Sequence, residues 1–263
     1  NSQDTRDPKV FWYAPSKHWV LVLNERDGHS IYTSSNLKDW KYESHVTGFW
    51  ECPELFELPV DGDKNHTKWV MYGATGTYML GRRIQIGWGR ISHSGMPFNG
   101  MMMLPTELTL RTTKDGIRLV NVPVKEVESL CKPLRSWKSL SSDEANRHLK
   151  EFYDADCLRI KTTIKLSHAT DAGFNLFGQR MIGYDMNSNT LNGRFYSPQD
   201  PTSMELSADI YIDRTSIEVF IDGGLYSYSM ERRPDTNNKE GLHFWGNRIE
   251  VKDLQVFSVE SIW

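Results

Sequence analysis

The 263 residues are 38% hydrophobic and 25% charged, close to an average folded protein and enough for one large all-β domain or two ordinary ones. A net charge of −3 gives no electrostatic pull toward nucleic acid or an anionic membrane, and no apolar run approaches a membrane span. Three cysteines, Cys52, Cys131 and Cys157, include no close pair, so neither a disulfide framework nor a zinc site is indicated. Aromatic residues reach 12%, with nine Trp. Sugar sites set indole and phenol faces against the C–H faces of sugar rings, although Trp also fills the cores of β-sheets.

The chain opens without Met at Asn1-Ser2-Gln3 and has no signal peptide. It runs at once into Arg6-Asp7-Pro8-Lys9-Val10-Phe11-Trp12-Tyr13, so an upstream segment is expected. Short apolar or alternating runs then predict strands at Lys9–Tyr13, His18–Leu23, Ser30–Thr33, Leu55–Leu58, Lys68–Gly73, Tyr78–Leu80, Arg83–Trp88, Glu107–Leu110 and Ile117–Val122. Turn chemistry lies between them at Ala14-Pro15-Ser16, Arg26-Asp27-Gly28, Asp61-Gly62-Asp63 and Lys114-Asp115-Gly116. Many short strands at this spacing point to a propeller, barrel or sandwich. The piece Tyr32–Trp40 fits the end of a propeller blade, and equally a capped turn with a core Trp.

The pattern changes over residues 123–155, where Val124–Leu130 and Ser142–Phe152 carry charged, helix-tolerant residues. This stretch reads as a linker with one or two short helices, the second capped by Ser141-Ser142-Asp143-Glu144. Strand patterning returns at Leu158–Leu166, Gly173–Leu176, Met181–Tyr184, Met204–Ile212, Ser216–Ile221, Leu225–Met230, Leu242–Trp245 and Ile249–Val259. Ile217–Ile221, Asp222-Gly223-Gly224 and Leu225–Tyr228 together signal a hairpin. About eight such strands make a β-sandwich the expected second domain. The expected organisation is thus a propeller portion over 1–122, a linker over 123–155 and a sandwich over 156–263.

Two constellations could carry chemistry. Arg6-Asp7-Pro8 leads directly into a strand, and Phe49-Trp50-Glu51-Cys52-Pro53-Glu54 sets a carboxylate beside large aromatics. Glycoside hydrolysis needs two carboxyl groups with opposite duties, one donating a proton and one ionised. Burial against Phe49 and Trp50 would favour the proton-donating form of Glu51, while Arg6 would favour the charged form of a neighbouring Asp. Asp7 could then accept hydrogen bonds from sugar hydroxyls. Taken singly, the first segment reads as a strand-start salt bridge and the second as a paired surface carboxylate beside a small core Cys. Together they read as a site.

Arg6-Asp7-Pro8 and Trp50-Glu51-Cys52-Pro53-Glu54 resemble the second and third signature motifs of glycoside hydrolase family 32, the invertase, inulinase and levanase family, in the expected order. Gly81–Trp88, Gly95–Asn99 with Leu104–Leu110, and Asp213–Phe220 with Gly223-Gly224 are similar to later parts of that family. The resemblance implies an all-β protein: a five-bladed β-propeller, incomplete in this chain, followed by a C-terminal β-sandwich. It implies hydrolysis of β-D-fructofuranosidic bonds in sucrose or in fructans such as inulin and levan, with retention at the anomeric carbon. It makes Glu51 the general acid/base, Asp7 the transition-state stabiliser and Arg6 the group that orients Asp7. Cys52 would serve packing, and Trp50 and Trp88 would line the substrate pocket. It implies no metal and no organic cofactor, a sucrose or fructan partner, and work outside the cell, as a secreted, periplasmic or cell-surface protein.

The sequence departs from that family at one essential place. The family's nucleophile is an Asp in a Trp-x-Asn-Asp-Pro-Asn-Gly block, and no such block occurs here; Asp200-Pro201 falls in the wrong domain. At roughly 40–45 residues per blade, residues 1–122 supply about three blades. Gly81-Arg82 joins two motifs that the family separates. A ring left open would expose strand edges, so the missing N-terminal portion of the same chain is an expected partner. The competing readings are a fructan-binding relative that has lost its nucleophile, and another five-bladed glycosidase such as an arabinanase-like hydrolase.

Overall fold

The computed structural model describes residues 5–73, 76–79, 82–91, 97–166, 171–200, 202–233, 237–246 and 248–261. Asn1–Gln3, the Leu80-Gly81 junction, Gly95-Met96 and Pro201, all part of the sequence reading, lie outside the described residues. Two compact units divide the chain: residues 1–87 with 108–112, and residues 88–107 with 113–263.

In the first unit, β1 (Arg6–Tyr13), β2 (His18–Glu25), β3 (Gly28–Ser34) and β4 (Lys41–Thr47) form an up-and-down antiparallel sheet in that order, the form of a propeller blade. Period-two alternation buries Val20, Val22 and Asn24 on one face of β2. The β3–β4 turn is closed by Asn36, whose Oδ1 accepts the N–H groups of Lys38 and Asp39, each at 2.9 Å.

A second sheet follows the order β6-β5-β11-β8-β7. Its members are β5 (Glu54–Val60), β6 (Asp63–Tyr72), β7 (Gly76–Met79), β8 (Arg83–Ile86) and, after the short β9 (Trp88–Gly89) and β10 (Met101–Met102) of the other unit, β11 (Thr106–Thr113). Asp61 and Gly62 turn β5 into β6 with φ of 52° and 80°, the left-handed pair a tight two-residue hairpin requires. Asp61 also accepts the Thr112 N–H at 2.9 Å and the Thr112 hydroxyl at 2.6 Å. That clamp holds β11 alongside β5. Trp69 of β6 stacks on Phe11 at 5.9 Å and meets Tyr13 edge-on at 5.6 Å, joining the two sheets. The described strands of residues 1–122 thus fall in a four-stranded sheet, this second sheet and the two-stranded pair of β9 and β10.

The second unit is a sandwich. Its larger sheet runs β13-β23-β14-β19-β20-β21 and its smaller one β18-β17-β16-β15-β22. The strands are β13 (Cys131–Ser141), β14 (Leu158–Lys165), β15 (Asp171–Leu176), β16 (Gln179–Asp185), β17 (Thr190–Leu191), β18 (Arg194–Phe195), β19 (Glu205–Ile212), β20 (Ser216–Ile221), β21 (Tyr226–Glu231), β22 (Leu242–Gly246) and β23 (Glu250–Val259), while β12 (Gly116–Pro123) belongs to neither of these sheets and pairs with β11. Inward residues of both sheets, including Ile160, Ile210, Val219 and Val256 from one and Phe174, Ile182 and Phe244 from the other, share one core.

Every helix among the described residues lies between Lys125 and Phe152: α1 (Lys125–Glu128), α2 (Ser142–Leu149) and a short 3-10 turn. The Ser141 hydroxyl accepts the Glu144 N–H and the Glu144 carboxylate accepts the Ser141 N–H, a complete capping box. Ala145 and Leu149 of α2 close one side of the core. Residues 131–141, expected within a linker, instead form edge strand β13, paired along its length with β23.

Candidate active site

The site residues gather at one end of the first sheet. Register pairs Arg6 with Asn24 and Asn24 with His29, a polar row across three strands. Between Arg6 and Lys9, β1 holds one residue more than the facing stretch of β2. Pro8, which has no N–H to give a ladder, sits in this bulge, and Asp7 takes a φ of 56°. The bulge re-aims Asp7 out of the pleat.

Its carboxylate Oδ2 accepts the Cys52 N–H at 3.1 Å and lies 3.7 Å from Cys52 Sγ. Glu51 arrives on the loop before β5, and its N–H donates to Asn24 Oδ1 at 3.0 Å. Glu51 and Cys52 both have left-handed φ, 47° and 43°. Such backbone strain in non-glycine residues costs free energy and collects at functional sites.

Arg6 bridges the two carboxylates. Its Nη2 donates to Glu51 Oε1 at 2.8 Å, its Nε lies 3.8 Å from Asp7 Oδ2, and its guanidinium carbon is 5.5 Å from the Trp50 ring centroid. The side chains of Arg6, Asp7 and Glu51 are 31%, 36% and 35% exposed, open enough to meet a ligand. Lys9 pairs with the buried Glu54 at 3.0 Å beneath them. At Gly73 an added Cβ would lie 3.1 Å from His29 Cε1 and 3.2 Å from the Trp50 carbonyl oxygen, so that close approach favours glycine.

Arg6, Asp7, Trp50 and Glu51 therefore meet, with contacts that differ from the sequence expectation. The closer partner of Arg6 is Glu51. Phe49 stacks on His29 at 5.1 Å instead of covering Glu51, and Trp50 is 56% exposed. Cys52 is exposed, and burial together with the adjacent Asp7 carboxylate pushes its thiol pKa up. A protonated thiol is a poor nucleophile. Trp88 is 70% exposed in the second unit, with the Arg90 guanidinium carbon 4.9 Å from its ring centroid.

Sequence reasoning missed Asn24 and His29. Asn24 is 2% exposed and His29 is fully buried; burial lowers the His29 pKa against an opposing pull from the Glu51 main chain. For Asn24 the signal was position, a polar residue on the alternating buried face of β2; β3 buries Gly28, His29 and Ser30 in succession and gives no such signal for His29.

Comparison with known proteins bears on the family and the fold. The model for the glycosyl hydrolases family 32 N-terminal domain matches residues 1–79, and that for the family 32 C terminal matches residues 126–258. The levanase of Bacillus subtilis is 29% identical over 99% of this chain, which spans 51% of the levanase. That alignment runs over 347 positions against 263 residues here, so the levanase carries aligned segments with no counterpart in this chain. The extracellular exo-inulinase of Aspergillus awamori is 25% identical over 99% of this chain and 66% of its own length. Invertase 1 of Saccharomyces cerevisiae is 44% identical over 80 residues, covering 27% of this chain and 15% of the invertase. A crystal structure of exo-inulinase from Aspergillus awamori superposes with a TM-score of 0.75 at 21% identity, over 99% of this chain and 68% of that one. The fold is accordingly propeller sheets followed by a β-sandwich. With family models matching both of its parts, the chain belongs to glycosyl hydrolases family 32.

Proposed function

We propose that this chain is part of a retaining hydrolase of β-D-fructofuranosidic bonds, acting on sucrose or on a fructan such as inulin or levan. The observation that carries the reading is the gathering of Arg6, Asp7, Trp50 and Glu51 at one end of one sheet. Relatives named levanase, exo-inulinase and invertase support it. Work outside the cell is part of this reading, supported by a relative named extracellular exo-inulinase; no helix among the described residues is long and apolar enough to cross a membrane.

Glu51 acts as general acid/base: it protonates the leaving oxygen, then as carboxylate takes a proton from water. Arg6 Nη2 sits on Glu51 Oε1, so a leaving group that takes its proton from that oxygen must displace Arg6. Asp7, fixed by the Cys52 N–H, accepts hydrogen bonds from fructose hydroxyls that tighten as the ring gains positive charge. Arg6 orients Asp7, and Trp50 offers a ring face to the sugar.

The nucleophile that forms a covalent fructosyl-enzyme is absent from these 263 residues, which hold no Trp-x-Asn-Asp-Pro block. That absence favours a second reading, a fructan-binding relative without catalysis. Fructose release from sucrose, inulin and levan separates the two, measured for these residues alone and for the chain extended to the length of its relatives. Turnover by the extended chain alone is the expected result. An extended chain that binds fructan and releases no fructose would establish the second reading.

A further inference from the structure

The outer face of the smaller sandwich sheet carries a cavity of about 480 Å³, lined among others by Asp171, Arg180, Asp185, Asn187, Thr190 and Trp245. Its floor is a direct consequence of register. Gly183 pairs with Gly173, and Gly173 with Trp245, so two missing side chains lie in a row beside an indole. A Cβ on Gly173 would fall 2.7 Å from Trp245 Cε2 and Cζ2, and one on Gly183 would fall 2.6 Å from Arg180 Cδ. The glycines let the indole and the arginine stem lie flat on the sheet.

Both groups are positioned. Trp245 Nε1 donates to Asn175 Oδ1 at 2.9 Å, which sets the plane of the ring. The Arg180 guanidinium carbon stands 5.2 Å from the Trp245 ring centroid, and no described residue forms an ion pair with it. Beside Gly183 lies Asn192 Oδ1, a buried acceptor without a donor among the described residues. Asp171 and Asp185 face each other across the strand pair. Hydrogen bonds from the Ser188 hydroxyl and from the Asn187 and Ser188 N–H groups hold the Asp185 carboxyl below its ordinary range.

An aromatic face, an unpaired guanidinium and two carboxylates are what a sugar with vicinal hydroxyls requires. C–H faces pack on indole, hydroxyls donate to carboxylates, and sugar oxygens accept from arginine. The mixed charge disfavours a polyanion, and a volume of this size suits a ligand of one or two sugar rings. We propose that this face is a carbohydrate-binding site for the terminal sugar of a neutral polysaccharide, which would let the sandwich hold the chain on a polymer. The inference rests on the chemistry of this face and not on the fructoside-cleaving reading.

Affinity electrophoresis of the full chain through gels containing levan, inulin or soluble starch tests it without any need for turnover. The expected result is retardation by at least one polysaccharide. Arg180→Gln and Trp245→Ala should each weaken it by roughly tenfold or more, the scale of a lost charged hydrogen bond or aromatic contact. Arg180 is exposed, so its variant keeps the test valid should Trp245→Ala fold poorly. Wild-type mobility unaffected by all three polymers, or an Arg180→Gln variant retarded as strongly as wild type, would overturn the proposal.

Discussion

Two single residues carry sharp consequences. Asn24 is nearly fully buried, and its side-chain oxygen is the acceptor for the Glu51 N–H. Asn24→Ala removes that acceptor, and an unpaired buried donor costs about 1–3 kcal/mol. The expected outcome is a lower denaturation midpoint, together with a fall in turnover of the extended chain that exceeds any change in KM, because the Glu51 loop loses its anchor. Glu218 concerns stability alone. It is 4% exposed, accepts the Leu104 N–H at 3.0 Å, and burial raises its pKa from 4.5 to about 7. The folded state thus holds a proton more tightly than the unfolded chain. The contribution of Glu218 to stability is therefore greatest below pH 4.5 and is lost as pH rises through 7, by about 3 kcal/mol in all. Glu218→Gln, which keeps an acceptor for Leu104, should flatten this dependence and raise the urea midpoint at pH 8. A variant whose midpoint tracks pH as wild type does would contradict the assignment.

At the scale of elements, what was legible depended on burial. Strands with one face in a core, such as β2 and β14, alternate and could be read directly. The capping box of α2 was equally plain, because Ser141 and Glu144 have the spacing that satisfies two N–H groups at once. Ser141→Ala should lower stability by about 1 kcal/mol, seen as an earlier urea transition with an unchanged slope. Edge strand β13 was invisible as a strand. Its one hydrogen-bonded neighbour is β23 and most of its side chains are exposed, so Lys132, Pro133 and Lys138 are tolerated and no period-two pattern is enforced. The bulge at Asp7-Pro8 was hidden for a related reason: a one-residue register shift shows only when the facing strand is known. Asn24 was passed over because a polar residue in an alternating strand normally faces solvent, whereas it faces inward to hold the Glu51 loop; His29 was passed over because β3 is polar and does not alternate.

For the whole molecule, the division into propeller sheets and a sandwich follows from alternation on both sides of the helical stretch, and the family models match on both sides of it. The active-site reading rests on fewer residues. Arg6, Asp7, Trp50 and Glu51 were legible as two short motifs 44 positions apart, and the structure brings them together through a bulge, a left-handed loop and one bridging arginine. How Arg6 divides itself between the two carboxylates was not legible, since it depends on side-chain reach and not on sequence spacing. The central claim is that Glu51 is the proton donor of a fructoside-cleaving site. The most direct test is fructose release from sucrose by the chain extended to the length of its relatives, wild type against Glu51→Gln, with folding verified by circular dichroism. The account predicts a loss of turnover of roughly a hundred- to ten-thousandfold with the fold intact; a Glu51→Gln rate within about twofold of wild type would contradict it.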